Sequence, residues 1–265
     1  MASSTSQAQK TAIVTGSTQG IGKAIAIQLA KDGFDICIND IPSKQQAIDD
    51  AVTEIKAFGR KAVGIAADVS RRAEVETLVQ GSAERLGPLS VMVANAGITQ
   101  VKPILELTEE DVDKIFKVNF NGVFNCYQVA AKQIIKQGTK GKLIGAASIT
   151  AFKPFPIAAP YSASKWAVRG LTQAFAMELG AHGITCNAYA PGIVDTAQWA
   201  YADEVMAELT GAEKGETFKK YSADALLGRA STPQDVAGVV GFLAGGASDY
   251  MTGQTIIVDG GIQFS

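Results

Sequence analysis

The stretch TGSTQGIG at residues 15–22 decides the fold class of this sequence. It follows a short, apolar, β-branched run at residues 11–15 and leads into Ile21, Ile25 and Leu29, which recur at helical spacing. Glycine permits a tight turn and lets a helix approach the strand that precedes it. The stretch therefore predicts a glycine-rich loop that joins a buried strand to a helix.

The same alternation of strand and helix continues along the chain. Further strands are predicted at residues 35–40, 61–66, 90–94, 142–147, 184–189 and 256–258, and further helices at 43–58, 71–86, 108–137, 160–181 and from 233 onward. Short apolar strands separated by helices are typical of parallel sheets covered on both faces. We expect a single doubly wound, Rossmann-type α/β domain over residues 11–265, with about seven parallel strands and helices on both faces. Residues 1–10 are polar and are expected to form a flexible tail, not a signal peptide.

One segment breaks this alternation. Residues 196–228 lie between the strand at 184–189 and the helix that begins at 233, and they show no strand pattern of their own. Long insertions at the carboxyl end of such a sheet often cover a ligand crevice, so this segment is a candidate substrate lid. A surface excursion is the alternative.

Composition argues against several classes of function. Lys and Arg total 24 against 26 Asp and Glu, a net charge of −2, whereas nucleic-acid binders usually carry a basic excess. No apolar run reaches the ~18 residues of a membrane span. Cys37, Cys126 and Cys186 are odd in number and far apart, which argues against disulfides and favours a reducing, cytoplasmic location. No metal-ligand spacing occurs, so no metal is expected, and the single histidine, His182, is assigned to a helix end or the surface.

The glycine-rich loop is typical of a dinucleotide-binding site, because its backbone can approach a pyrophosphate at the N-terminus of the following helix. The loop residues assigned to the coenzyme are Gly16, Gln19, Gly20, Ile21 and Gly22. Asp40, 18 residues after Gly22, ends the second strand, where its carboxylate can accept hydrogen bonds from both ribose hydroxyls and repel a 2′-phosphate. NAD is therefore favoured over NADP, although Lys44 is a nearby cation.

Two further strand ends are candidates for coenzyme contacts. Asp68 and Val69 follow the third strand, where the Asp68 carboxylate could accept from an adenine amino group or serve as a turn residue. Asn95, Ala96 and Gly97 follow the fourth strand, where small residues would let backbone lie against the coenzyme or would form an ordinary turn. Both alternatives stay open at each position.

Tyr161 and Lys165 lie four residues apart in a predicted helix and therefore share a face. A free tyrosine has a pKa of about 10, too high for a general base at neutral pH. A neighbouring ammonium, together with a positively charged nicotinamide ring, would lower the pKa of Tyr161. Tyr161 could then exchange a proton with a substrate oxygen while hydride moves, and Ser148 at the end of the fifth strand could hold that oxygen.

Asn119 interrupts an apolar stripe of the long predicted helix. The stripe consists of Val112, Ile115, Phe116, Phe120 and Val123. A buried amide is costly unless it is hydrogen-bonded. Asn119 is therefore expected either to satisfy buried backbone groups or to anchor a water that leads to Lys165.

Taken together, these motifs resemble those of the short-chain dehydrogenase/reductase family over residues 11–262, in the same order and spacing. They are TGSTQGIG at 15–22, Asp40, NAG at 95–97, Asn119, Ser148, Tyr161 with Lys165, and Pro191-Gly192. The resemblance implies that Tyr161 is the general acid/base, that Lys165 binds ribose and tunes the tyrosine, and that Ser148 orients the substrate. It also implies that Asn119 holds a proton-relay water.

The resemblance extends to the coenzyme and the assembly. The segment at residues 191–196 resembles the stretch that fixes the nicotinamide carboxamide, which assigns Val194 and Thr196 to the coenzyme. It further implies a homotetramer, with the helices predicted at 108–137 and 160–181 at its interfaces. A small-molecule substrate is the expected partner, with neither nucleic acid nor membrane.

Longer stretches resemble the acetoin/diacetyl reductases, or 2,3-butanediol dehydrogenases, within this family. They lie at residues 161–173, 187–196, 215–222 and 249–261. Meso-type relatives carry polar residues where this chain has Ile149 and Phe155, and in this respect the chain looks more like L-type, (S)-acetoin-handling members. The resemblance implies reversible, NAD(H)-dependent reduction of diacetyl or acetoin. The implied substrate pocket comprises Ser148, Ile149, Phe155, Tyr161, Gly192 and Trp199.

Three alternatives stay open. Trp199 could close a lid on a four-carbon ligand, or it could be a core or interface residue. The substrate could instead be a polyol, a cyclic ketone or an aryl diol. A non-catalytic dinucleotide-sensing module is the remaining possibility, although such proteins typically lose a catalytic residue and this chain keeps all of them.

Overall fold

Seven parallel strands form one sheet in the computed structural model, which describes residues 10–264 and so leaves all but Lys10 of the predicted tail outside the described residues. The strands are β1 (Thr11–Val14), β2 (Asp35–Ile38), β3 (Ala62–Gly64), β4 (Leu89–Ala94), β5 (Gly141–Ala146), β6 (Ile184–Pro191) and β7 (Thr255–Val258). Their order across the sheet is β3-β2-β1-β4-β5-β6-β7. The predicted strands are confirmed, with shifts of a residue or two at their ends.

Helices cover both faces of this sheet, as predicted. They are α1 (Gly20–Lys31), α2 (Gln45–Ala57), α3 (Arg72–Leu86), α4 (Glu109–Phe116), α5 (Gly122–Gln137), α6 (Ala159–Leu179), α7 (Ala197–Thr210), α8 (Glu216–Ser222) and α9 (Pro233–Ala244). One apolar core contains buried residues of α3, α5 and α6, and a second contains buried residues of α1, α2 and α9. The doubly wound Rossmann-type architecture is therefore confirmed.

The long helix predicted at residues 108–137 is interrupted by a π-helical turn at Lys117–Asn121. In this turn the Gly122 N–H donates to the Lys117 carbonyl oxygen, five residues back. The turn changes the register between α4 and α5, so the uniform helical spacing assumed for the apolar stripe is wrong beyond Phe116. Asn119 lies within the turn and is fully buried.

The segment at residues 196–228 contains two helices, α7 and α8, that were not predicted. Asp203 of α7 is buried, and its carboxylate accepts hydrogen bonds from the N–H groups of Gly215 and Phe218 at the start of α8. Free N–H groups at a helix N-terminus favour such a negatively charged partner. Asp203 therefore fastens the start of α8 to α7.

The strand order reverses beside β1, because β2 lies on one side of it and β4 on the other. In open α/β sheets this reversal leaves a crevice at the carboxyl ends of the strands. The loops that follow β1, β2, β4 and β5 all leave the sheet at this edge. The fold thereby gathers the residues singled out in the sequence at one place.

Several smaller expectations concern the rest of the described chain. Cys37, Cys126 and Cys186 are all buried free thiols. His182 is exposed in a 3₁₀ turn, just before Gly183 in a left-handed conformation, as predicted. Between residues 10 and 264, no helix is long and apolar enough to cross a membrane, and no group of three or more His, Cys, Asp or Glu side chains is placed to hold a metal ion.

Candidate active site

A cleft of about 460 Å³ lies at the carboxyl ends of the strands. Nearly all the predicted site residues line it: Gly16, Gln19, Gly20, Ile21, Gly22, Asp40, Asp68, Val69, Asn95, Gly97, Ser148, Ile149, Phe155, Tyr161, Lys165, Gly192, Val194, Thr196 and Trp199. Asn119 is the exception among the predicted residues, because it lies behind Gly97 and does not reach the cleft surface.

The glycine loop has the shape of a phosphate cradle. Gly16 and Gly20 have φ angles of 62° and 54°, a left-handed conformation that other residues rarely adopt. A Cβ atom at Gly22 would overlap the carbonyl oxygen of Gly16. The N-terminus of α1 is therefore held tightly against the loop at the edge of the cleft, where its free N–H groups suit a pyrophosphate.

Asn95 fastens this loop to the end of β4. Its Nδ2 donates to the carbonyl oxygens of Thr15 and Gly16 at 2.8 and 3.1 Å, and its Oδ1 accepts from the Tyr189 hydroxyl at 2.7 Å. Thr15 Oγ1 accepts from the N–H groups of Asn95 and Ala96 at 3.0 Å each. Because the polar atoms of the Asn95 side chain are engaged within the protein, this side chain positions the loop. Thr15 and Tyr189 were not predicted to position the loop, because their hydrogen-bond partners are distant in the chain.

Asp40 follows β2 and is buried beside the glycine loop. Its carboxylate accepts from the Thr18 hydroxyl and, at 2.9 Å, from the Ile41 N–H. Lys44 Nζ lies 3.5 Å from Asp40 Oδ2, so this cation is paired with the carboxylate. A carboxylate in this place, beside uncharged Thr18 and Ile41, fits an unphosphorylated ribose.

Asp68 has the turn role considered for it and also lies at the cleft. It lines the cleft, and its Oδ1 also accepts from the Ser70 N–H at 2.9 Å, as a turn residue does. Arg71 Nε lies 3.8 Å from its Oδ2. A contact between Asp68 and a bound adenine stays a prediction.

Tyr161, Lys165 and Ser148 meet where β5 ends and α6 begins. Lys165 is buried, its Nζ donates to the Ala146 carbonyl oxygen at 2.8 Å, and it lies 5.5 Å from the centroid of the Tyr161 ring. The Ser148 side chain lies beside the Tyr161 hydroxyl, and its Oγ accepts from the Thr150 N–H at 3.1 Å. The structure therefore brings the three predicted side chains into one group.

Burial controls the protonation of this group. It raises the pKa of Tyr161 above the usual value, and hydrogen bonds with Ser148 and Gln198 only partly oppose that rise. Burial also lowers the pKa of Lys165 to about 8. Without the positive nicotinamide ring, the loss of water around a phenolate has a larger effect on this pKa than the neighbouring side chains. The lowering predicted for the site with bound coenzyme stays a prediction. At neutral pH Tyr161 is a proton donor.

Asn119 satisfies buried backbone groups, the first of its two predicted roles. Its Oδ1 accepts from the Ile98 N–H and its Nδ2 donates to the Ile98 carbonyl oxygen, both at 2.9 Å. Its Nδ2 also donates to Ser164 Oγ at 3.2 Å, and this hydroxyl donates to the Tyr161 carbonyl oxygen at 2.7 Å. Asn119 thus ties the loop after β4 to the helix that carries Tyr161. Its role toward a relay water stays a prediction.

An aromatic cluster forms one wall of the cleft. The Phe155 ring lies 6.3 Å from the Trp199 ring and 4.7 Å from the Tyr221 ring, and Trp199 lies 6.0 Å from Phe218. Of the alternatives for Trp199, the structure favours the cleft, because this residue lines it and is only partly buried. Phe218 and Tyr221 were not predicted as site residues, although both lie at residues 215–222, a stretch that resembles the acetoin/diacetyl reductases. Their rings pack against the rings of Phe155 and Trp199.

Gln198 is the other residue that was missed. It lies in the first turn of α7, lines the cleft and lies beside the Tyr161 hydroxyl. The sequence offered one indication of its role, because Gln198 directly precedes Trp199, a predicted substrate-pocket residue. Thr196 caps the same helix through its Oγ1, which accepts from the Trp199 N–H.

A dinucleotide cradle that shares a cleft with a tyrosine–lysine–serine group defines a Rossmann-type dehydrogenase. The chain belongs to the short-chain dehydrogenase/reductase family, because the family model described as short chain dehydrogenase matches residues 10–206. The protein is therefore an oxidoreductase that acts on small-molecule alcohols or ketones and uses a nicotinamide dinucleotide. The site residues fit such a coenzyme through the cradle, Asp40 and Lys165.

Relatives with assigned names resemble the chain over almost its entire length. It is 48% identical over 256 residues to an L-2,3-butanediol dehydrogenase of Corynebacterium glutamicum, covering 97% of this chain and 99% of that protein. It is 45% identical over 256 residues to a diacetyl reductase [(S)-acetoin forming] of Staphylococcus epidermidis, covering 96% of this chain and 99% of that protein. The crystal structure of an acetoin dehydrogenase from Salmonella typhimurium superposes with a TM-score of 0.82 at 33% identity, covering 96% of this chain and 97% of the other.

Proposed function

We propose that this protein catalyses the reversible, NAD(H)-dependent reduction of a small vicinal diketone or hydroxyketone, namely diacetyl to acetoin and acetoin to 2,3-butanediol. One observation carries the proposal: Tyr161 and Ser148 lie in the same cleft as the apolar side chains of Ile149, Phe155 and Trp199. A compact apolar wall suits the methyl groups that flank the carbonyls of these substrates. The names of the two relatives agree with this choice.

The side chains have distinct parts in the reaction. The coenzyme supplies or accepts the hydride when it is bound. Ser148 holds the substrate oxygen, and Tyr161 gives its proton to that oxygen during reduction and takes it back during oxidation. Lys165 places a positive charge beside the Tyr161 ring and favours the phenolate that forms in reduction. Asn119 keeps the helix of Tyr161 in register with the loop after β4.

We propose NAD rather than NADP as the coenzyme. The buried carboxylate of Asp40 lies where a ribose diol would donate to it and where a 2′-phosphate would be repelled. Lys44, the nearby cation, is paired with that carboxylate at 3.5 Å. The remaining coenzyme contacts follow the family pattern, with the backbone of Val194 and the side chain of Thr196 at the nicotinamide carboxamide.

The stereochemical proposal rests on Ile149 and Phe155. Both are apolar where meso-type relatives carry polar residues, so we propose (S)-acetoin as the hydroxyketone formed. Residues 196–228 are proposed as the substrate lid, because Gln198 and Trp199 of its first helix line the cleft. Gly192 completes the pocket, where a Cβ atom would crowd the Asp259 side chain.

The test is oxidation of NADH and NADPH with diacetyl and with each acetoin enantiomer, followed by chiral analysis of the products. Cyclic ketones, and polyols with oxidised coenzyme, serve as comparison substrates. We expect NADH and diacetyl to be preferred, with (S)-acetoin as the product. A clear preference for cyclic ketones or polyols would replace the proposed substrate, and coenzyme binding without turnover of any carbonyl would indicate a sensing module.

Assembly and location are also proposals. We propose a homotetramer with α4, α5 and α6 at its interfaces, since α6 exposes Trp166 and Met177, 46% and 86% accessible. Exposed apolar side chains of this size suit contacts between subunits. A cytoplasmic location agrees with the three buried free thiols. Analytical ultracentrifugation measures the assembly, and a stable monomer at micromolar concentration would contradict it.

A further inference from the structure

The proposed substrates present a hydrogen-bonding requirement that the catalytic group alone does not meet. Diacetyl, acetoin and 2,3-butanediol carry oxygens on two adjacent carbons. Tyr161 and Ser148 bind the oxygen at the reacting carbon. The second oxygen loses its hydrogen bonds to water on entering the cleft, and this loss weakens binding unless the protein replaces them.

Of the wall side chains Ile149, Phe155 and Trp199, only Trp199 carries a polar group, an indole N–H that can donate to an oxygen but cannot accept from a hydroxyl. Ile149 is 9% exposed, and Phe155 and Trp199 face each other edge to face. Thr150 follows Ile149 and carries a hydroxyl, but its Oγ1 is inaccessible to solvent and lacks a hydrogen-bond partner. A substrate in the cleft therefore cannot reach it without a rearrangement of the chain.

Gln198 reaches the required place. Its side chain is exposed at the first turn of α7, lines the cleft and lies beside the Tyr161 hydroxyl. A carboxamide that reaches the Tyr161 hydroxyl also reaches the immediate surroundings of the substrate carbon beside it. The N-cap at Thr196 and the ring contacts of Trp199 hold this turn of α7 in place.

The chemistry of an amide suits all three substrate forms. A carboxamide carries two N–H donors and an acceptor oxygen. It can donate to the second carbonyl of a diketone and can accept from, or donate to, the second hydroxyl of a hydroxyketone or diol. A carboxylate at the same position only accepts hydrogen bonds and could not bind the second carbonyl of a diketone.

We propose that Gln198 binds the second oxygen of the vicinal substrate and thereby selects two-oxygen substrates over simple ketones. The inference rests on the proposed function and names the side chain that determines its specificity. Gln198 and Tyr161 line the same cleft, so the Gln198 amide can bind the second oxygen while the tyrosine gives its proton to the reacting oxygen.

The competing explanation is that Gln198 only adjusts Tyr161. In that case its removal would change the rate with every carbonyl substrate by the same factor. A direct contact with the second oxygen predicts a loss that depends on whether the substrate has one. The ratio of kcat/KM for acetoin to kcat/KM for 2-butanone, which lacks the second oxygen, separates the two explanations.

The experiment compares Gln198→Leu, Gln198→Asn and wild type with NADH and both ketones. A control, Glu208→Ala, changes an exposed side chain of the same helix that does not line the cleft. We expect the acetoin to 2-butanone ratio to fall about tenfold in Gln198→Leu, since tenfold corresponds to about 1.4 kcal/mol, the size of one hydrogen bond. Gln198→Asn should recover part of the ratio, and the control should keep it.

The outcomes distinguish the inference from the function on which it rests. A wild-type enzyme that reduces acetoin and 2-butanone equally well overturns the selection of two-oxygen substrates, whereas one that reduces neither diacetyl nor acetoin overturns the proposed function as well. A wild-type preference that survives unchanged in Gln198→Leu overturns the role of Gln198 and leaves the proposed function standing. NADH affinity, measured by fluorescence, and circular dichroism verify that each variant is folded and loaded, and Gln198→Asn answers the question if Gln198→Leu does not fold.

Discussion

Lys165 Nζ lies 5.5 Å from the centroid of the Tyr161 ring, and burial shifts the pKa of both groups toward their uncharged forms. The pKa of Lys165 falls to about 8, so this ammonium still carries its charge at neutral pH. The phenol keeps its proton there, and the charge beside it is ready to stabilise the phenolate that appears during reduction. The pair is therefore arranged for proton donation.

The two directions of the reaction should respond oppositely to pH. Reduction needs a protonated Tyr161, whose pKa is raised, so kcat/KM for acetoin with NADH should stay level at neutral pH and fall only at alkaline pH. Oxidation of 2,3-butanediol with NAD needs the phenolate and should rise with pH over the same range. Steady-state rates in both directions in overlapping buffers measure this. Parallel pH profiles would contradict the assignment of Tyr161.

Replacement of Lys165 should lower the rate of catalysis and should also change how the stability of the protein depends on pH. Lys165→Met should lower kcat for acetoin by about 100-fold or more, because the phenolate loses its neighbouring charge. The folded wild type holds the Lys165 proton with a pKa of about 8 against 10.5 in the unfolded chain. Below pH 8 its folding therefore carries the cost of a buried ammonium, and this cost is relieved as pH rises from 8 toward 10.5.

The stability of the wild type relative to Lys165→Met should consequently increase as pH is raised from about 7 to about 9.5, by about 2 kcal/mol. Urea unfolding at the two pH values measures the difference. Lys10→Met is the control, because Lys10 is exposed and directly precedes β1, at the end of the strand opposite the cleft. This variant should show no such change. A difference between the wild type and Lys165→Met that does not depend on pH would mean that the ammonium is not buried in the folded protein.

Local pattern was enough to predict the sheet and most of the cleft. The β-branched runs, the glycine loop and Asp40 act through neighbours in the chain or through the shared edge of a parallel sheet, and both can be inferred from spacing. Gln198 could not be found in this way, since its contact with Tyr161 depends on how α7 lies across the cleft. The π-helical turn around Asn119 also escaped, because helical periodicity assumes a constant register.

The pKa of Tyr161 in the chain without coenzyme could not be inferred from spacing for a related reason. The spacing of Tyr161 and Lys165 indicates which charges are close, but the loss of water around the phenol depends on the whole cleft. Asn95 is a further case, because its ties to Thr15 and Tyr189 join three separate strands. These features arise from tertiary packing, and no local sequence pattern reports them.

Coenzyme preference should depend on Asp40. Asp40→Asn removes the charge that repels a 2′-phosphate and weakens the acceptor for the ribose hydroxyls, so the preference for NADH over NADPH in kcat/KM should fall at least about tenfold. Lys44→Ala, which removes the paired cation, should keep the preference for NADH. Rates with the two coenzymes and saturating diacetyl measure both variants. An unchanged ratio in Asp40→Asn would show that another residue selects the coenzyme.

The close approach at the glycine loop should be intolerant of a single methyl group. Gly22→Ala places a Cβ atom against the Gly16 carbonyl oxygen and should lower stability by about 1–3 kcal/mol and weaken NADH binding. Gly238→Ala is the matched control, because a Cβ atom added to this helical glycine would have no neighbouring atom within 4 Å. It should be more stable than wild type by about 0.5–1 kcal/mol. Equal effects at the two positions, measured by urea unfolding, would refute the packing described for the loop.

The most direct test of the account is the Tyr161→Phe variant with NADH and diacetyl. This change removes the hydroxyl and keeps the ring, so NADH affinity should stay close to that of the wild type while kcat falls by about 100- to 10,000-fold. NADH binding followed by fluorescence, and single-turnover rates on the same preparation, give the two quantities. A Tyr161→Phe enzyme that binds NADH normally and reduces diacetyl at the wild-type rate would contradict the central claim that this phenol supplies the proton.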